Sequence, residues 1–229
     1  MGIKRGSITT SIVTDGLVFN MDAANRASYS GTGVISNNTV SKENSGSFID
    51  GVQFNETDGI KSFQFDGVDD YIDFGAPTAA DSGSLRITGD LTISIWFKTT
   101  ATAGYFISDT PVYGGCYSIL IGTSNQTWAR RGNGVSAETN VKTSGTYNNG
   151  NWYNITFVSD STMRIYMNSV LDVQSIPNTP TSIGGTTTYK IGDGFTNLAG
   201  QISSVQIYNR ALSVSEVTHN YNALKGRFS

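Results

Sequence analysis

Apolar and polar side chains alternate along much of this chain, and the clearest alternation lies at residues 91–98. One side carries Leu91, Ile93, Ile95 and Phe97, and the other carries Thr92, Ser94, Trp96 and Lys98. Successive side chains of an extended strand point to opposite faces, so a period of two predicts a β-strand with one buried face.

Five further segments repeat this pattern, and together they predict an all-β protein. They are residues 16–22, 152–157, 163–167, 171–176 and 202–207. Strands with one apolar and one polar face are typical of antiparallel sheets that are covered on one side. The pattern therefore predicts a sandwich in which these strands bury their apolar faces in one shared layer.

The connections between these strands are expected to be long and polar. They cover residues 30–59, 76–89 and 123–151. For residues 30–59 the sequence leaves three alternatives open: a lid, a contact surface, or two edge strands near Thr39 and Val52. We expect one domain over residues 1–229, since all-β domains of this size are common.

Both ends of the chain have recognisable patterns. Ser7–Val13 alternates polar and apolar positions, so residues 1–14 are predicted to include an edge or assembly strand. At the other end, Ser213 and Glu216 have the spacing of a helix capping box, and Gly226 follows as a stop signal. The sequence therefore predicts one short C-terminal helix.

A turn rich in carboxylates joins two apolar alternations between Phe63 and Phe74. Asp66, Asp69 and Asp70 fall within five positions of this predicted hairpin. Carboxylate oxygens are the ligands that calcium prefers. Asp22 and Asp73 offer further carboxylate oxygens, and the five aspartates together form a candidate calcium site. The alternative is that Asp66 and Asp70 cap the turn by accepting hydrogen bonds from backbone amides, with Asp73 merely solvated.

Composition excludes several classes of function. The net charge is −3 and the longest basic run is Arg130-Arg131, so nucleic-acid binding is not expected. No apolar run approaches the roughly 18 residues that a membrane-spanning helix needs, and we expect no signal peptide. Cys116 is the single cysteine, so no disulfide can form within the chain.

Five blocks in a fixed order carry a resemblance to a known family. They begin at Phe65, Leu91, Trp152, Arg164 and Ile191, and the last continues through Leu198-Ala-Gly-Gln-Ile to Asn209-Arg-Ala-Leu-Ser-Val-Ser-Glu. Over residues 15–222 the chain resembles laminin G-like domains of the concanavalin A-like lectin/glucanase superfamily. The resemblance implies a two-sheet antiparallel jelly roll with its C-terminal helix outside the sandwich.

One position departs from this pattern. The family usually places Asn-Gly or Asp-Gly where this chain has Asn168-Ser169. A type I′ turn is costlier without glycine at its second position, so a different turn type is expected here.

The inventory of acidic residues argues against catalysis. The glucanases of this superfamily pair two glutamates on one strand, whereas Glu43, Glu56, Glu138 and Glu216 are far apart in this chain. The single histidine, His219, lies on the predicted helix with no catalytic motif around it. We therefore expect no enzymatic activity and no catalytic residues.

Exposed aromatic and basic residues provide the candidate contact site. Trp128, Arg130 and Arg131 lie in a predicted long loop, and Tyr113 and Tyr147 offer further rings that could stack on a sugar. Trp96 and Trp152 fall on strands, where packing under a loop or helix is the more common use.

The resemblance extends to laminin G-like structural proteins of tailed phages, because the segment from Asn220 to Phe228 is similar to their termini. It implies a non-enzymatic virion protein, either a head decoration or a fibre-associated subunit. Such a protein would be made in the host cytoplasm and exposed on the particle in many copies. Its partners would be other virion proteins and surface glycans. The alternatives are a free carbohydrate-binding lectin and, less favoured, a glycan-active enzyme.

Overall fold

The computed structural model describes residues 11–41, 43–75, 85–110, 117–122, 124–132, 138–175 and 188–228. Its strands are β1 (Leu17–Asp22), β2 (Ile35–Ser36), β3 (Gly46–Ile49), β4 (Gln53–Thr57), β5 (Ile60–Asp66), β6 (Tyr71–Asp73), β7 (Leu91–Thr99), β8 (Gly104–Thr110), β9 (Tyr117–Ile121), β10 (Gln126–Gly132), β11 (Glu138–Thr146), β12 (Trp152–Ser159), β13 (Met163–Met167), β14 (Val170–Ser175), β15 (Thr188–Ile191) and β16 (Ala199–Tyr208). The helix α1 covers Val214–Leu224, and a 3₁₀ turn covers Lys225–Arg227.

These strands form two eight-stranded antiparallel sheets. The first has the order β14-β13-β12-β7-β16-β5-β4, with β1 also paired to β16, and the second has the order β11-β10-β9-β8-β15-β6-β3-β2. The predicted all-β, two-sheet antiparallel jelly roll with one short C-terminal helix is thereby confirmed. Extension of a single domain to residues 1–229 stays a prediction.

The inner faces of the two sheets share one apolar core. Phe97 of the first sheet lies 4.3 Å from Phe106 of the second, centroid to centroid, and Phe19 lies 4.9 Å from Phe74. All four rings are at most 6% exposed. Burying a side chain of this size contributes about 1.5–3 kcal/mol, so this layer is the main source of stability.

Strand β16 has two successive partners along one edge. It pairs with β5 at residues 199–202 and with β1 at residues 204–208, and the register shifts at Ser203. Ser203 Oγ donates to Lys61 O at 2.7 Å, and Ala23 N donates to Ser203 O at 2.9 Å. The bulge therefore marks the point where one neighbour ends and the other begins.

The C-terminal helix lies on the outer face of the first sheet. Val217 and Leu212 pack there on Val158, Tyr166 and Tyr208 as a small second cluster. The predicted capping box is present: Ser213 Oγ accepts from Glu216 N, and Glu216 Oε2 accepts from Ser213 N. The helix ends at Leu224, before the expected Gly226, because a 3₁₀ turn follows it.

Three sequence predictions about connections need correction. Residues 30–59 contain β2, β3 and β4, so of the three alternatives the edge strands agree best with the structure. None of these three strands includes Thr39, however. Residues 123–151 contain β10 and β11. Asn168 and Ser169 have φ of 50° and 66°, the two positive values of a type I′ turn, although Ser169 is not glycine.

The predicted N-terminal strand is described only in part. Residues 1–10 lie outside the described residues, and residues 11–14 form no strand. Instead Val13 N donates to Asn220 Oδ1, Val13 O accepts from the Tyr208 hydroxyl, and His219 Nε2 lies 2.8 Å from Ser11 O. This segment is thus fixed to the helix side of the sandwich.

Candidate functional site

The acidic turn lies between β5 and β6. Asp66 Oδ1 accepts from Val68 N at 2.7 Å, and Asp70 Oδ2 accepts from Asp66 N at 3.0 Å. The turn-capping interpretation of these two carboxylates therefore agrees with the structure. Asp66, Asp69 and Asp70 nevertheless place oxygen atoms within 4.8 Å of one another.

Negative charge is concentrated at this turn. Burial raises the pKa of Asp70 above its usual range, although the hydrogen bond from Asp66 N opposes this shift. The nearby carboxylates of Asp66, Asp69 and Asp50 raise the pKa further. A hard cation would relieve this repulsion, so calcium at these three residues stays a prediction.

Asp22 and Asp73 do not join this cluster. Asp22 pairs with Ser204 of β16 whereas Asp66 pairs with Ala199, which, allowing for the bulge at Ser203, separates them by about 13 Å along the strand. Both carboxylate oxygens of Asp22 accept from Arg227 Nη1 at 2.8 Å. Asp73 Oδ1 accepts from Gly75 N at 2.8 Å, so it is not merely solvated. The five-aspartate site was wrong as a single constellation.

Trp128 and Arg130 lie on strand β10 and not in a loop. Thr127, Ala129 and Arg131 alternate with them and point inward, where each is at most 3% exposed. Trp128 and Arg130 therefore face outward from the second sheet. The single described helix packs on the first sheet, so no described helix covers this outer face.

The indole of Trp128 is held flat against the second sheet. A Cβ on Gly122 would lie only 2.5 Å from Trp128 Cε2, so the absence of a side chain there lets the ring approach the backbone. Lys142 pairs with Trp128 across β11, and its Nζ lies 3.8 Å from the ring centroid. Arg130 Cζ lies 5.3 Å from the same centroid. Two cations thus share one aromatic ring.

The outward face continues onto β9 and β8. Arg130 pairs with Asn140 on one side and Ser118 on the other, which gives a row of hydrogen-bonding side chains. Arg130 Nη1 lies 3.3 Å from the Tyr105 hydroxyl. We call the outward side chains of Tyr105, Ser118, Trp128, Arg130, Asn140 and Lys142 the aromatic–basic face, in which Tyr105 and Ser118 are at most 8% exposed.

The remaining predicted contact residues lie elsewhere. Arg131 is 3% exposed and donates from Nη2 to Gly89 O at 2.8 Å, so it does not belong to the aromatic–basic face. Tyr147 donates to Asp172 Oδ1 at 2.7 Å, and burial with this bond raises the pKa of Tyr147 to about 12. Tyr113 lies outside the described residues.

Sequence reasoning missed Tyr105 and Lys142. Tyr105 was hidden because β8 has a register shift between Tyr105 and Ile107, which breaks the local alternation. Lys142 approaches Trp128 only through the pairing of β10 with β11. The small residue Ala129 lies between Trp128 and Arg130 and points inward. This alternation was the sequence signal that could have placed Trp128 on a strand.

Comparison with known proteins defines the class. A family model of the concanavalin A-like lectin/glucanases superfamily matches residues 66–218. The chain belongs to this superfamily, in its laminin G-like branch. A search of curated proteins found no match. Within the described residues, none of the helices has the length and apolar character that crossing a membrane requires.

Solved structures share the fold at low sequence identity. The binding domain of Paraclostridial Mosquitocidal Protein 1 matches with a TM-score of 0.72 and 15% identity, over 91% of this chain and 52% of that chain. The binding domain of botulinum neurotoxin DC matches in complex with rat synaptotagmin II (TM-score 0.70, 13% identity, 91% and 52% coverage) and with SialylT (0.70, 14%, 92% and 52%). This chain therefore spans about half the length of these binding domains.

Proposed function

We propose that this chain is a non-enzymatic, lectin-like module that binds glycans on its aromatic–basic face. The observation that carries the proposal is the outward placement of Trp128 between two cationic side chains, Arg130 and Lys142, on a sheet face that no described helix covers. Aromatic rings with a few hydrogen-bonding groups around them are typical of sugar sites.

The charges on this face favour an acidic sugar. Lys142 is exposed, so its ammonium group can turn toward a carboxylate or sulfate and leave the indole of Trp128 to the sugar ring. Arg130 would donate to the same anionic group. The exposed Asn140, which pairs with Arg130, adds an amide in the same row for the sugar hydroxyls.

The placement of the described glutamates supports a non-enzymatic role. Glu216 is held by Arg210, with Arg210 Nη2 at 2.6 Å from Glu216 Oε1. Glu43 and Glu56 are exposed on other parts of the chain. The acidic turn uses Asp66 and Asp70 for backbone hydrogen bonds, which does not resemble an acid and base on either side of a glycosidic bond.

A glycan array followed by calorimetry tests the binding proposal. We expect acidic glycans to bind, and Trp128→Ala to weaken binding at least about fivefold, because a stacked ring contributes roughly 1 kcal/mol in addition to the area that it buries. Arg130→Gln should weaken acidic glycans more than neutral ones. Lys61→Gln, on β5 of the other sheet, is the matched control and should bind normally. Equal binding by Trp128→Ala and the wild type would overturn the proposal.

Within this class we propose a virion structural protein of a tailed phage, carried in several copies with other virion proteins and exposed on the particle surface. The sequence resemblance motivates this role. Exposed apolar residues on sheet edges support it: Val170 and Leu171 of β14 are 69% and 48% exposed, and Ile35 of β2 is 53% exposed. Edge strands with apolar side chains are suited to pairing with a neighbouring chain.

Mass spectrometry of purified particles tests the virion role. We expect the protein in stoichiometric copies per particle, and we expect Leu171→Lys to reduce its incorporation while the isolated protein remains folded. Its absence from particles, together with strong glycan binding by the monomer, would favour the alternative of a free lectin. Detectable glycan hydrolysis that Asp69→Asn abolishes would instead support the enzyme alternative.

A further inference from the structure

A cleft lies on the outer face of the first sheet, on the opposite side of the sandwich from the aromatic–basic face. Its volume is about 250 Å³, and it lies between strands β7 and β12 and the C-terminal end of the chain. Its lining includes Trp96, Trp152, Asn168, Tyr221, Lys225 and Phe228. We call it the C-terminal cleft.

Aromatic rings form much of this cleft. Phe228 stacks on Trp96 with 3.9 Å between centroids and 8° between planes, and Tyr221 stacks on Trp96 at 5.5 Å. Trp152 is tilted against Phe228 at 5.1 Å and is only partly buried. The Trp152 indole therefore still offers surface on which a ring-shaped ligand could lie.

The polar side chains of the cleft are donors. Trp96 is 3% exposed, yet its Nε1 has no acceptor among the described residues. Asn168 uses Oδ1 to accept from Asn154 N at 2.9 Å, which leaves its NH₂ group for another partner. Lys225 Nζ lies 5.6 Å from the Tyr221 ring centroid, and none of the described residues that line the cleft carries a carboxylate.

The Trp96 Nε1 atom is itself buried, with the Phe228 and Tyr221 rings stacked on its indole, so the donors that a ligand can reach are those of Asn168 and Lys225. A ligand that satisfies this cleft must bring acceptors, because the amide NH₂ of Asn168 and the ammonium group of Lys225 can only donate. Negative charge would complement Lys225. The aromatic walls favour a flat or ring-shaped body, and the volume suits a single ring.

We propose that the C-terminal cleft binds a pyranose that carries a carboxylate, such as a uronic acid at the end of a glycan. The sugar ring lies against Trp152, and its carboxylate accepts from Lys225 and Asn168. This site is independent of the aromatic–basic face, since the two share no residue.

Calorimetric titration of the full chain with methyl glucuronide and methyl glucoside tests the proposal. The two probes differ only in the carboxylate, so we expect the glucuronide to bind at least about tenfold more tightly, as loss of one charge-assisted hydrogen bond would predict. Equal affinities for the two probes would overturn the proposal.

Asn168→Asp is the sharpest variant. Aspartate keeps the acceptor for Asn154 N and tolerates positive φ, but it replaces the NH₂ donor with a negative oxygen. We expect it to abolish glucuronide binding with little change in the thermal midpoint. Lys225→Gln should remove most of the preference for the glucuronide. Wild-type binding by both variants would overturn the proposal.

Trp128→Ala separates this site from the proposed function. If glucuronide binds in the C-terminal cleft, Trp128→Ala should titrate like the wild type while Trp152→Ala loses binding. The near-ultraviolet circular dichroism of the Trp96–Phe228 stack checks that Trp152→Ala is folded. Loss of glucuronide binding in Trp128→Ala alone would place the sugar on the aromatic–basic face. It would overturn the proposal that the C-terminal cleft binds it.

Discussion

The Tyr147 hydroxyl donates to Asp172 Oδ1 at 2.7 Å, and this bond joins the two sheets at one edge. Tyr147 follows β11 of the second sheet, whereas Asp172 lies on β14 of the first. Asp172 also accepts from Ser144 N at 2.6 Å and from Ser144 Oγ at 3.0 Å. One carboxylate therefore closes the sandwich where neither sheet has a further strand.

Removing this link should destabilise the sandwich. Tyr147→Phe keeps the ring and loses only the hydroxyl, so we expect a loss of about 1 kcal/mol in the free energy of unfolding. Asp172→Ala should cost more, because three donors lose their acceptor. Urea unfolding measures both effects, with Asp58→Asn in an exposed turn as the control. Unchanged midpoints in both variants would contradict the role of this link.

The same link predicts a dependence on alkaline pH. Burial, with the hydrogen bond to Asp172, raises the pKa of Tyr147 to about 12 from an ordinary value of 10.0. Its contribution to stability is therefore complete below pH 10 and is lost as the pH rises toward 12. Burial also raises the pKa of Tyr208 to about 12, so the test compares the wild type with Tyr147→Phe. The variant should lose less stability across this window in denaturant titrations.

Glu216 predicts a dependence on acid. The hydrogen bonds from Arg210, followed by that from Ser213 N, lower the pKa of Glu216 to about 2 from 4.5. The contribution of the ionised Glu216 to the free energy of unfolding is complete above pH 4.5 and is lost as the pH falls toward 2. Glu216→Gln should flatten the loss of stability in this window, whereas the exposed Glu43→Gln should follow the wild type. Identical acid unfolding of all three proteins would contradict the assignment.

Ser169→Gly should stabilise the protein. Ser169 has a φ of 66°, which costs a residue with a Cβ about 1 kcal/mol relative to glycine. The thermal midpoint should therefore rise in the variant. Ser175→Gly, at the end of the same hairpin strand, is the control and should lower it, since glycine there only adds freedom to the unfolded chain. A midpoint that falls in Ser169→Gly would show that the serine side chain makes a compensating contact.

Calcium should raise the thermal midpoint if it binds the acidic turn. Asp69→Asn should remove this response with little effect on the calcium-free protein, because Asp66 and Asp70, and not Asp69, accept the backbone hydrogen bonds of the turn. Asp58→Asn should respond like the wild type. An unchanged midpoint in EDTA and in millimolar calcium would count against a calcium site.

The sequence predicted those elements whose signals come from residues close together in the chain. The alternation over residues 91–98 predicted β7, which the structure has at Leu91–Thr99, and the spacing of Ser213 and Glu216 predicted the helix start. Both signals arise from neighbouring residues, so a single sequence contains them.

Long-range pairing explains what the sequence could not show. Asp22 was grouped with the acidic turn, but its partner is Arg227, which is 205 positions away and has no local signature. Strand β10 was taken for a loop because two of its inward residues, Thr127 and Arg131, are polar. Arg131 is accommodated there by the Gly89 carbonyl, a contact that only the folded chain creates.

The bulge at Ser203 has an unusual consequence for insertions and deletions. Ile202 and Val205 both face the core although they are three positions apart, so deleting Ser203 would restore strict alternation without turning any apolar group outward. A hydropathy profile would register almost no change. Ile202 and Ser204 would keep their partners on β7, because Phe97 and Trp96 are already adjacent. The cost of the deletion would instead be the loss of the two hydrogen bonds of Ser203, to Lys61 O and from Ala23 N, which join the ends of β5 and β1.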